Sequence, residues 1–210
     1  MTEHRAHYPS GLREATKAFG IPRERHKELA VSPGTMDYWS KVLQKRHAEV
    51  IPLIERSPGR FLVHTKSFYP SSAPDPSVYR LISGGIRFDE PLLEAVRRET
   101  HEETNLDIEI VRFAGVLRHT FCLASDRAQG NWKPTDRLDF WSYLFWVRPT
   151  GGELRVNDPD ESITGFRDAS LEELLGLAEQ LESLESGWAD WGCFRACGHR
   201  FAVDLLREML

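Results

Sequence analysis

Residues 84–106 constrain this chain more than any other stretch. They read Gly84-x5-Glu90-x7-Arg98-Glu99-Thr100-x-Glu102-Glu103-x-Asn105-Leu106. On a helix of 3.6 residues per turn, Glu99, Glu102 and Glu103 stand at i, i+3 and i+4 and share one face. Three carboxylates crowded there repel one another, at a cost to the helix. Hard divalent cations among them would remove that cost, and oxygen ligands of this kind suit Mg²⁺ or Mn²⁺ held jointly with substrate phosphates. The competing interpretation is a solvated acidic stripe, which is what most charge runs are. Against it, a strand-like segment (79–82) and a double glycine, Gly84-Gly85, lead into the acidic run. A turn followed by a helix is what a built site needs.

The spacing resembles the Nudix box, G-x5-E-x7-R-E-U-x-E-E-x-G-U, in which U is a bulky aliphatic residue. Gly84, Glu90, Arg98, Glu99, Glu102, Glu103 and Leu106 match it; Thr100 and Asn105 depart, and Ile82-Ser83 stands where many members carry Pro-Gly. Asn105 falls where the helix should end, and asparagine is the usual substitute for glycine in a left-handed cap. A chance match to the glycine, four glutamates and arginine has odds on the order of 10⁻⁵ in a chain this long, so the resemblance outweighs coincidence.

The resemblance implies an α+β fold, the Nudix α/β/α sandwich with a mixed sheet between helical layers. It implies a metal-dependent hydrolase that cleaves the diphosphate linkage of a nucleoside diphosphate joined to another group. Glu99, Glu102 and Glu103 become the expected Mg²⁺ or Mn²⁺ ligands, with the Gly84 carbonyl of the Gly84-Gly85 turn able to complete the shell. Glu99 or Glu103 can double as the base that takes a proton from water. Glu90 and Arg98 are expected to form an ion pair that fixes the glycine turn against the helix. Members often recruit another carboxylate beyond the box; in the acidic loop 157–161, Glu161 is preferred over Asp158 and Asp160, with an ordinary polar turn as the alternative.

The rest of the chain frames that site. Residues 1–48 read as a mostly helical extension, with helices at 12–19 and 36–50 broken at Pro33-Gly34, and 49–210 as the hydrolase-like domain. The extension suits a dimer arm, a cap over the substrate pocket, or simple packing on the core. Strands are expected at 60–68, 79–82, 108–117, 138–147 and 163–167, the 138–147 run apolar enough to be buried on both faces. The box helix is expected to begin near Pro91, which is tolerated at a first helical position. Ser170 and Glu173 form a capping-box pattern ahead of another helix, and a last helix spans 190–209.

A net charge of −5 gives no support for a non-specific nucleic-acid binder. No apolar run reaches the roughly 20 residues needed to span a bilayer, and residues 1–10 lack an apolar signal core. Three cysteines, an odd number, suit a reducing cytoplasm better than a disulfide framework.

Weaker constellations have simpler explanations. Cys193, Cys197 and His199 offer an incomplete zinc set and read as buried packing. His101 reads as solvent-facing and Arg87 as a surface arginine. Phe88, Trp132 and Trp141 could stack on a base, although Trp141 belongs by pattern to the core. Subfamily signatures are missing: residues 119–123 lack the proline of typical ADP-ribose hydrolases, and neither the NADH-pyrophosphatase array nor a coenzyme A signature occurs. A nucleoside triphosphate or a nucleotide sugar is the default substrate. The alternatives are a catalytically silent Nudix-fold module that only binds nucleotide, and a prenyl-diphosphate isomerase, for which Cys122 is the one cysteine near the expected sheet.

Overall fold

Strand alternation sends apolar side chains to two faces at once, and helices cover both. The computed structural model describes residues 9–67, 78–125 and 137–210. Its elements are α1 (Leu12–Phe19), β1 (Arg23–Val31), α2 (Pro33–Leu43), β2 (Ala48–Ser57), β3 (Arg60–Lys66), β4 (Arg80–Leu81) and β5 (Gly84–Gly85). There follow α3 (Leu92–Thr104), β6 (Asp107–Leu123), β7 (Leu138–Gly151), β8 (Ile163–Ala169), α4 (Leu171–Glu182) and α5 (Ala189–Met209). Short 3-10 turns lie at Pro159–Glu161 and Ser186–Trp188.

The sheet runs β1-β6-β7-β2-β3-β4, with β5 on β2 and β8 on β3. β1 is parallel to β6 and β2 is parallel to β7; the other pairings are antiparallel. On β2, Ile51 and Leu53 pack with Leu174, Leu177 and Phe201 of α4 and α5. Val50 and Ile54 point the other way, to Ala15 of α1 and Leu92, Ala95 and Val96 of α3. On β7, Leu144 joins the first core, and Tyr143, Phe145 and Val147 join the second. This period of two on a doubly covered strand explains the unbroken apolar run in the sequence. The result is the mixed sheet between helical layers that the sequence implies.

The local signals act as the chemistry dictates. Ser170 and Glu173 close a full capping box on α4. Asn105 ends α3 in the left-handed conformation (φ 57°), its N–H bonded to the His101 carbonyl at 2.8 Å. Pro91 lies just outside α3 as its cap, in an extended conformation.

The amino-terminal region departs from the expectation of a mostly helical extension. α1 covers the expected residues, but Arg23–Val31 is an edge strand on β6. Most of its side chains are exposed or half-buried, so it carries little of the apolar alternation by which strands are recognised. Pro33-Gly34 begins α2 rather than breaking a helix: Ser32 caps the end and Pro33 occupies the first turn, where its missing N–H costs nothing. The expected helix to residue 50 also ends early, because Ala48, Val50 and their neighbours pair with β7 in the sheet. The loop 69–77, Phe68, Arg127, Trp132 and Lys133 lie outside the described residues. No helix among the described residues is long and apolar enough to cross a membrane.

Two glycines test the packing in opposite senses. A Cβ on Gly192 of α5 would sit 2.0 Å from the Leu181 carbonyl oxygen, whereas one on Gly176 of α4 would meet nothing within 4 Å. Gly192→Ala is therefore expected to cost about 1–3 kcal/mol, and Gly176→Ala to stabilise by about 0.5–1 kcal/mol. Urea unfolding of both variants checks this, and equal effects of one sign would contradict the packing.

Candidate active site

Arg98 organises the acidic face of α3. Its Nε and Nη2 donate to the two oxygens of Glu90 at 2.6 and 2.8 Å, a two-pronged pair. Nη1 donates to Glu99 and Glu102, both at 2.7 Å, and Nη2 also donates to the Gly85 carbonyl at 2.9 Å. Glu90 lies before the helix, after a turn at residues 88–89 where Asp89 takes a left-handed φ of 65°, and there it meets Arg98. Burial alone would lower the Arg98 pKa, but its three carboxylates raise it above its already high value. Burial would likewise raise the Glu90 carboxyl, and hydrogen bonds from Arg98 and the Arg87 N–H hold it below the ordinary range.

Gly84 is required by a close approach. A Cβ there would lie 1.7 Å from Glu99 Oε2, so only glycine lets this carboxylate rest against the strand. β5 is held in place through Gly84 and Gly85, paired with Val50 and Glu49 of β2. Burial pushes the Glu99 carboxyl up, against the charge of Arg98.

Lys66, at the end of β3, forms a second cationic centre. Its Nζ is 2.9 Å from Glu103 Oε1 and also bonds Glu161 Oε2. Glu161 reaches this point because the Asn157 and Asp158 N–H groups bond the Glu102 carbonyl at the end of α3. Asp158 is spent capping the 3-10 turn through the Asp160 N–H, and Asp160 is exposed. Burial pushes Glu103 up to about 7, opposed by Arg80 and Lys66 and reinforced by Glu161. Burial also acts to raise Glu161, but Lys66 holds it lower. One carboxylate of the pair therefore keeps a proton in a range where the other has lost it. His64, 3.6 Å from Glu103, is buried and held well below its ordinary pKa, so it stands neutral beside that carboxyl.

Glu99, Glu103 and Glu161, with Gly84 and Gly85, line a cavity of about 690 Å³. Arg46, Lys66, Arg80 and Arg195 line it as well, so an acidic chain gathers cations at one place. Glu102 stands apart from this lining: it is 27% exposed and tied to Arg98 and Arg87.

The donors fit Mg²⁺ or Mn²⁺. All are carboxylate oxygens, and Glu103 Oε2 is buried without a hydrogen-bond partner among the described residues. Those residues hold no preformed cluster of three His, Cys, Asp or Glu, and Arg98 and Lys66 engage the carboxylates.

Several site features escaped the sequence. Arg80 sits in a short β-segment, where a charged residue amid apolar ones was the available signal; Lys66, flanked by His64, Thr65 and Ser67, carried none. Arg195 had none; it is held from α5 by Glu49 at 2.8 Å and Ser83 at 2.9 Å. Burial would raise the Glu49 carboxyl, and Arg195 with Arg46 keeps it low. The extension also enters the site, since Ser32, Gly34, Thr35, Tyr38 and Trp39 line the cavity. Outside the site, His199 is buried and accepts the Leu81 N–H at 2.9 Å, and burial pushes the Cys197 thiol up to about 11, as packing requires. His101 and Arg87 are exposed, while Phe88 lies edge-on to His47 at 5.3 Å and Trp141 is half-buried on β7.

The family model described as NUDIX domain matches residues 45–191, and the chain belongs to the Nudix family of hydrolases. Similar solved structures include a MutT NUDIX hydrolase from Burkholderia pseudomallei, at 20% identity and TM-score 0.47, covering 77% of this chain and 98% of the other. A NUDIX hydrolase from Nitrosomonas europaea has 13% identity and TM-score 0.48, covering 75% and 90%. An ADP-ribose pyrophosphatase from Streptococcus suis has 17% identity and TM-score 0.44, covering 76% and 91%. No curated protein sequence matches the chain.

A ligand role for Glu103 predicts pH-dependent metal binding. Its protonated form stabilises the metal-free fold fully below the ordinary carboxyl value of 4.5, and that contribution is lost as pH rises through about 7. A cation must displace the same proton. Mn²⁺ affinity measured by calorimetry is expected to be about tenfold weaker at pH 6 than at pH 8, a ratio that follows from one proton leaving near pH 7. Equal affinities at the two pH values would show that Glu103 is no ligand.

Proposed function

We propose that this chain is a Mg²⁺- or Mn²⁺-dependent pyrophosphohydrolase. It cleaves the diphosphate linkage of a nucleoside diphosphate joined to another group, of the nucleoside triphosphate or nucleotide sugar type. One observation carries the proposal: three carboxylates of the motif region and its neighbouring loop open into the same cavity as four basic side chains. An anionic diphosphate complements Arg46, Lys66, Arg80 and Arg195, and the cavity volume falls within the roughly 300–1,000 Å³ typical of small-molecule sites.

Glu99, Glu102, Glu103 and Glu161 are the residues to hold the cations, with the Gly84 carbonyl beside them. Bound divalent ions supply charge neutralisation of phosphate oxygens and a lowered pKa for water. The chain does the rest. Arg98 fixes the spacing of Glu99 and Glu102 and braces the glycine pair. Glu99 or Glu103 accepts the proton released by the attacking water. Arg80 and Arg195, backed by Glu49, orient the phosphates and offset their charge. The cysteines are all free thiols, which supports a reducing cytoplasm as the working compartment.

The other readings find less support. A silent nucleotide-binding module usually lacks motif carboxylates that are all present here. An isomerase would need a cysteine at the reacting carbon, but Cys122 is buried and its Sγ donates to the Leu29 carbonyl.

Phosphate release from a panel of nucleoside triphosphates and nucleotide sugars with Mg²⁺ tests the proposal. Turnover is expected that disappears on chelation and in Glu102→Gln, and that falls at least about tenfold in Glu161→Gln. Tight nucleotide binding without turnover of any substrate would instead establish the silent module, and a normal rate in Glu161→Gln would remove that residue from the site.

A further inference from the structure

The carboxylates and cations account for only part of the cavity lining. Tyr38 and Trp39 enter from α2, and Trp188 and Trp191 from the 3-10 turn and first turn of α5. Tyr38 is 52% exposed, a large aromatic surface left facing open space. Trp188 and Trp191 are half-buried and meet edge to face, their ring centroids 5.5 Å apart.

Two contacts hold these groups as one wall. The Ser32 N–H donates to Asp190 Oδ2 at 2.8 Å, tying the start of α2 to the start of α5. Behind it, Trp39 packs against Phe194 with centroids 4.7 Å apart. Arg195, one turn beyond Trp191, has its guanidinium carbon 5.8 Å from the Trp191 ring and donates to Ser83 beside the glycine pair. Aromatic rings therefore continue directly into the basic, phosphate-facing part of the cavity. Tyr38 and Trp39 of α2 precede the family-matched stretch 45–191 and Arg195 follows it, while Trp188 and Trp191 lie at its carboxy-terminal end.

The geometry points to a stacking subsite for the nucleobase, formed by Tyr38, Trp188 and Trp191, with Arg195 at the junction of base and diphosphate. This rests on the hydrolase reading for its substrate class, because a flat ring attached to a diphosphate is the ligand whose two halves match the two halves of the lining. Tryptophan and tyrosine rings stack on any base. The subsite thus selects for the presence of a base over its absence, and leaves the choice among bases to edge contacts.

The test compares two non-hydrolysable ligands that share one phosphorus group, α,β-methylene-ADP and base-free methylenediphosphonate. Both are titrated against the full-length protein in Mg²⁺, with calorimetry and tryptophan fluorescence as readouts. The nucleotide is expected to bind at least about tenfold tighter, the scale of one base stacked on an aromatic ring, and to quench tryptophan emission. Trp188→Leu/Trp191→Leu is expected to reduce that preference below threefold. Tyr38→Ala, at an exposed position that the fold does not need, is expected to reduce it as well, and Trp191→Phe to retain it. Equal binding of the two ligands by the unaltered protein would overturn the subsite, as would a preference that survives in both the double variant and Tyr38→Ala. Nucleotide turnover with no base preference defeats the subsite alone. A base preference without turnover of any nucleotide defeats the hydrolase reading and leaves the subsite standing.

Discussion

The site depends on one guanidinium. Three glutamates on neighbouring turns of α3 would repel one another and strain the helix. Arg98 bonds two of them and reaches across to Glu90 and the Gly85 carbonyl. A lysine could not serve, since its compact ammonium lacks the planar fork that grips Glu90 with two parallel bonds. Because Gly84 and Gly85 pair with β2, the same guanidinium fastens the helix to the sheet. Lys66 does comparable work for Glu103 and Glu161 from the end of β3. The metal-free protein therefore tolerates its acidic cluster by supplying cations of its own.

Around these pairs the sheet acts as a rigid frame. β2 brings Glu49, β3 brings Lys66 and β4 brings Arg80 to one end of the molecule, and α5 adds Arg195 through its bond to Glu49. Buried charges persist here because nearly all are paired, which is the condition for keeping them out of water. Glu103, although bonded to Lys66, is pushed up to about 7 by its burial. A net-negative chain thus presents a locally basic cavity with carboxylates in its lining.

Residues of the amino-terminal extension reach the cavity of the family domain. β1 lengthens the sheet by pairing with β6, and α2 then lies where its aromatic residues line the cavity. Packing of Trp39 against Phe121, Phe140 and Phe194 anchors that helix to the core.

Local chemistry was legible in the sequence. The i, i+3, i+4 carboxylates, the Asn105 cap, the capping box at Ser170 and the apolar run of β7 each depend on residues a few positions apart. Their physics is complete within a turn or a strand, so spacing alone was enough. The turn expected at Gly84-Gly85, by contrast, is the short strand β5, with the turn itself at residues 88–89. The amino-terminal strand was not legible, because an edge strand with exposed side chains has no burial pattern to display. Lys66 with Glu103, 37 residues apart, and Arg195 with Glu49, 146 apart, were likewise invisible. The sequence by itself determined the family, the acidic helix face and the sandwich. Only the tertiary structure decided which cations neutralise that face and which aromatics close the cavity, since those contacts form when the sheet brings distant segments together.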